Sequence, residues 1–73
     1  MTNVDPYVLP PQSWSARLAA LKSRAVPDDD LRVVECHRAL AFWRMKRAID
    51  AARDVIGDEA AAATTDLVLE LVM

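Results

Sequence analysis

Residues 29–57 read DDLRVVECHRALAFWRMKRAIDAARDVIG, and their reading decides the fold. No proline or glycine interrupts the run from Asp29 to Ile56. Gly57 then supplies the usual helix stop, because glycine takes a left-handed backbone without a Cβ clash. The stretch predicts one continuous helix over 29–56, about 40 Å long at 1.5 Å per residue. A compact chain of 73 residues has a radius of gyration of about 11 Å, hence a diameter of about 29 Å. The helix is longer than that ball. It must either protrude or pair with something outside the globule.

Successive side chains on a helix turn by about 100°. With Leu31 set at zero, Leu31, Val34, Ala41, Phe42, Met45, Ala48, Ile49, Ala52 and Ile56 fall on one face, from roughly 260° through zero to roughly 20°. Val33, Cys36, Leu40 and Trp43 fall between roughly 120° and 200°, on the opposite side. Phe42 and Trp43 are chain neighbours and cannot enter one core layer. The helix therefore needs two packing partners. The flanking segments can supply both and close a three-helix bundle. Otherwise a second chain covers Val33, Leu40 and Trp43, with Arg44 and Arg47 beside them. Aromatics and arginines of this kind are common interface anchors.

Glu35, Cys36 and His37 resemble a catalytic or metal cluster only in the linear sequence. On the helix they lie near roughly 40°, 140° and 240° and diverge around the axis. A zinc pair on a helix needs i, i+4 spacing, and none is present. The expectation is no catalytic residue, no metal site, no cofactor and no small-molecule substrate. Cys36 reads as a small core residue and His37 as an edge-of-core or surface histidine. The cations scatter in the same way. Arg32 and Arg38 each lie three residues from Glu35, and Lys46 lies four from Asp50, so local pairing is expected. A nucleic-acid reader concentrates its cations on one face. A dimeric regulator using Arg17, Arg24, Arg44 and Arg47 is the alternative function.

The flanking segments complete an all-α plan. VDPYVLPPQ, residues 4–12, holds three of the four prolines. It predicts an extended arm over 1–12, with Tyr7, Val8 and Leu9 available to lie on a surface. A single helical domain over 13–73 follows. Its first helix, about 13–25, is capped by Ser13 or Ser15. Trp14, Leu18, Leu21 and Ala25 form its apolar stripe. Pro27 ends it, and Asp28, Asp29 and Asp30 offer a cap to the next. A third helix is expected over 58–72, where Asp66 and Glu70 sit unfavourably near the negative end.

The arrangement from Arg17 to Leu40 resembles small actinobacterial phage and prophage helical proteins of unknown function. Those proteins read as an R-x-A-A-L helix start, an S-R-x-x-x-D-D turn and then a long helix. Arg17, Ala19, Ala20, Leu21, Ser23, Arg24, Asp28 and Asp29 match, within a stretch of about a third of the chain. The group usually carries a proline-rich turn before its last helix, where this chain has GDEAAAATT. The resemblance implies a phage-related context and no chemistry.

Charge and size set the class of partner. The net charge is −2, distributed as +2 over residues 1–27, +1 over 28–53 and −5 over 54–73. An acidic end beside a basic middle suits docking onto a second copy, as a homo-oligomer and most simply a dimer, or onto a host protein. A single cysteine cannot close an internal disulfide and fits a reducing compartment. No signal peptide or spanning segment is visible, so the reading is cytoplasmic with no membrane partner. The sequence thus predicts a small, non-enzymatic helical module for protein–protein interaction.

Overall fold

A computed structural model describes residues 5–72. Residues 1–4 of the expected arm, and Met73, lie outside the described residues. A 3-10 turn at Pro6–Val8 is followed by α1 (Pro11–Ser23), α2 (Leu31–Ala51), the one-turn α3 (Arg53–Ile56) and α4 (Asp58–Val72). The chain is all-α, with no strand among the described residues.

α1 begins earlier than the serines suggested. Pro10 is the N-cap, and Pro11 occupies the first turn, where its fixed φ suits the helix and its missing N–H is not needed. Neither Ser13 nor Ser15 caps. The helix ends in a Schellman motif. The Val26 N–H donates to the Leu21 carbonyl at 3.1 Å, and the Ala25 N–H to that of Lys22 at 3.0 Å. This geometry puts Ala25 at φ +57°, a left-handed position usually held by glycine. Ala25 is therefore exposed and past the helix end, rather than the last residue of the apolar stripe.

α2 starts at Asp30, whose carboxylate accepts from the Arg32 N–H at 2.9 Å. It is shorter than expected, because the ladder breaks at Ala52. Arg53 spans the bend that follows: one guanidinium reaches Asp50 at 2.9 Å and Asp58 at 3.3 Å. Gly57, at φ +88°, turns the chain into α4.

The buried residues of α2 are Val33, Cys36, Ala39 and Phe42. Each step of three residues falls about 60° short of a full turn, so the buried line winds from one side of α2 to the other. α1 runs back along the first side. Trp14 and Leu21 join Val33, Cys36 and Ala39 in one cluster, with Leu18, Leu40 and Trp43 packed against it. α4 runs back along α2 as well, turning in Ala61, Thr65, Val68 and Val72, whose i, i+4, i+7, i+11 spacing makes one stripe. α1 and α4 do not touch each other among the described residues. Two helical hairpins thus share one central helix. The molecule is correspondingly long, 43 × 24 × 17 Å, with a radius of gyration of 13.7 Å. The long helix fits because the molecule is elongated along it.

Candidate functional site

Trp14 and Trp43 bring two indole N–H groups into the α1–α2 seam. A buried indole N–H needs an acceptor. The arm provides one. The Pro6 carbonyl accepts from Trp14 Nε1 at 2.9 Å and from Trp43 Nε1 at 3.0 Å. Pro6 itself is fully buried. The next ring, Tyr7, stands edge-on to Phe42 at 5.1 Å and to Trp43 at 5.4 Å. Phe42 and Trp43 also meet each other edge-on at 5.8 Å, so the two neighbours expected in separate layers join Tyr7 in one aromatic cluster. The Asp5 carboxylate accepts from the Tyr7 N–H at 2.9 Å, which fixes the turn. Arg17 completes the seam, 5.5 Å above the Trp14 ring.

The arm is consequently part of the domain rather than a separate segment ending at residue 12. Pro6 and Tyr7 were not singled out as site residues. The available signal was the pair of tryptophans, whose two donors required a shared or separate acceptor.

The expected partner face divides. Val33 is fully buried beneath α1 in its own chain and has no surface to offer a partner. Leu40 and Trp43 are half-buried, and both line a shallow groove of about 180 Å³ with Pro11, Arg44 and Arg47. Trp43 and Arg47 also border a neighbouring hollow of about 340 Å³ with Lys46 and Asp50. Arg44 and Arg47 make no ion pair among the described residues, whereas Lys46 is held by Asp50 at 2.7 Å. Asp50 also faces Arg53, and the hydrogen bonds from Lys46 and then Arg53 hold its carboxyl below the usual 3.8.

The arginines assigned to nucleic acid do not share one track. Arg17 and Arg24 border a third hollow, of about 370 Å³, with Arg32 and Glu35, while Arg44 and Arg47 line the groove by Pro11. Arg32 pairs with Asp30, through Nε at 3.0 Å and Nη2 at 3.1 Å, and not with Glu35. The residue that caps α2 is nearer in space than the residue one turn along.

Glu35, Cys36 and His37 stay apart, as helical geometry dictates. Cys36 is fully buried. Burial pushes its thiol above the usual 9.0, partly offset by Arg17, so it is a poor nucleophile. His37 is exposed. Among the described residues no three metal-binding side chains come together, and no helix is long and apolar enough to cross a membrane. Comparison with protein-family models, with curated proteins and with solved structures finds no match.

Proposed function

We propose that this chain is a small, non-enzymatic helical interaction module that acts in the cytoplasm in a phage-related setting. It docks an acidic, apolar helix against the open rim of α2. The observation that carries this reading is the groove of Pro11, Leu40 and Trp43 flanked by Arg44 and Arg47, two cations with no ion-pair partner among the described residues. A second copy offers the matching surface on α4. Leu67 and Leu71 are 54% and 76% exposed there, one turn apart, with Asp66 and Glu70 beside them in sequence. A host protein with a similar helix is the other partner of this class. The match of Arg17–Asp29 to the phage-protein pattern supports the setting.

Light scattering of the wild-type chain against Arg44→Glu/Arg47→Glu tests the reading. The expected result is association that the double reversal abolishes and that mixing with Asp66→Lys/Glu70→Lys restores. Association unchanged by the reversal counts against this rim, as does a chain that stays monomeric and captures the same host proteins with or without it.

A further inference from the structure

Two rows of side chains line the α1–α2 seam away from the arm. Arg17, Ala20, Leu21 and Arg24 fall on one face of α1 by their i, i+3, i+4, i+7 spacing. Arg32 and Glu35 stand about one turn apart at the start of α2. Together they enclose a hollow of about 370 Å³, a size at which small-ligand sites begin. Its charged groups are positioned but not used up. Arg17 lies over the Trp14 ring, 5.5 Å from the centroid, and neither it nor Arg24 has an ion pair among the described residues. Arg32 is fixed by Asp30 through Nε and Nη2, which leaves its Nη1 without a hydrogen bond among the described residues. Glu35 is half-buried and likewise unpaired there, although three guanidiniums share the hollow with it.

We infer that this hollow binds a small phosphorylated polyol, that is, a sugar phosphate. A guanidinium is a rigid fork of donors that meets two oxygens at once. One fork satisfies a carboxylate, whereas several forks converging from two helices fit the three terminal oxygens of a phosphoryl group. A phosphate monoester carries about −1.5 to −2 charge at pH 7. Arg17 and Arg24 supply the matching cations, because Asp30 already neutralises Arg32. Glu35 narrows the class of ligand. An ionised carboxylate only accepts hydrogen bonds, so it repels a bare phosphate and receives a hydroxyl carried beside one. Ala20 and the nearly buried Leu21 give the carbon skeleton an apolar surface to lie on. The site goes beyond the docking assigned to the Arg44–Arg47 rim and uses neither of those residues. A nucleic-acid backbone is the weaker fit, since it needs a continuous track of cations and these arginines do not join the rim in one.

The test is an NMR titration of the full chain at constant ionic strength, with ribose 5-phosphate and with inorganic phosphate. Ribose 5-phosphate is expected to shift the side-chain N–H signals of Arg17, Arg24 and Arg32 and the Trp14 indole beneath Arg17. It should bind about tenfold more tightly than inorganic phosphate, the worth of one further hydrogen bond to a charged group. Arg17→Lys and Arg24→Lys keep the charge and lose the fork, and each should weaken ribose 5-phosphate by about tenfold or more. Glu35→Ala removes both the repulsion and the acceptor. It should tighten inorganic phosphate and erase most of the preference for the sugar phosphate. Arg44→Glu/Arg47→Glu should leave the affinity unchanged, which separates this site from the rim. Circular dichroism checks that each variant keeps its helices, and the lysine variants retain the bulk and charge of the originals. Three outcomes overturn the inference. One is no shift at these residues up to about 10 mM ribose 5-phosphate, well past the about 1 mM of a weak specific site. Another is a sugar phosphate that binds no more tightly than inorganic phosphate. The third is binding that Arg44→Glu/Arg47→Glu abolishes as well, the mark of diffuse charge rather than a built site.

Discussion

Replacing Tyr7 by alanine removes the ring that bridges Phe42 and Trp43. Tyr7 is 46% exposed, so about half its side chain is out of water. A buried aromatic covers about 150–250 Å². Half of that is about 100 Å², which at about 25 cal/mol per Å² contributes about 2.5 kcal/mol. Each edge-on pair adds about 0.5–1.5 kcal/mol beyond area, and the alanine keeps a small part of the contact. The expected loss is about 3–4 kcal/mol, in a chain whose core seldom supplies more than about 3–5 kcal/mol. Urea unfolding followed by circular dichroism at 10 °C measures it. Tyr7→Phe is the control. Its phenol hydroxyl makes no hydrogen bond among the described residues, so that variant should stay within about 0.5 kcal/mol of wild type, as uninvolved surface changes do. A Tyr7→Ala chain that also stays within about 0.5 kcal/mol refutes the claim that the arm is part of the core.

Three further outcomes follow from single positions. Ala25→Gly relieves a left-handed alanine at φ +57°. That strain costs about 1–2 kcal/mol, partly offset by the greater unfolded-state freedom of glycine. A gain of about 0.5–1 kcal/mol should appear as a Tm about 3–6 °C higher by calorimetry. Gly57→Ala should cost about 1–3 kcal/mol in the same measurement. An added Cβ would meet nothing within 4 Å, so the whole cost comes from the backbone at φ +88°. Acid titration reads the carboxylates. The Arg32 side chain holds Asp30 below the usual 3.8, and Lys46 and Arg53 do the same for Asp50. The unfolded chain therefore takes up these protons first, and stability present above about pH 4 falls as the pH drops through the lowered folded values. Asp30→Asn and Asp50→Asn should each flatten that decline when urea midpoints are compared at pH 7 and pH 3.

Much of the fold was legible in the sequence, because α2 carries two apolar faces and each needs a cover. Val33 and Cys36 on one side and Phe42 on the other are buried, whereas Leu31, Met45 and Ile56, expected on the Phe42 face, are exposed. The break at Ala52 was not legible. At the break Arg53 spans Asp50 and Asp58, an exposed pairing that accompanies the bend and that helix propensity does not register. Ala39 was missed because it lies between the two faces, where the buried line crosses from one to the other. The site was legible only in part. Leu40, Trp43, Arg44 and Arg47 do line one groove, but Val33 is covered by its own α1. The arm hides its role in the sequence because the decisive group is a backbone carbonyl, which any residue possesses. The acceptor position at Pro6 emerges only once two tryptophans 29 positions apart in the chain are brought to the same seam.

That seam gives the most direct test of the account, which holds that the chain's own arm covers Trp43 and leaves Leu40, Arg44 and Arg47 for a partner. Hydrogen exchange of the two indole N–H groups, followed by NMR on dilute monomer, reads it one residue at a time. Both should exchange slowly in the wild-type chain, and both should speed up together in Tyr7→Ala. A Trp43 indole that exchanges like free indole while Trp14 stays protected would contradict the account.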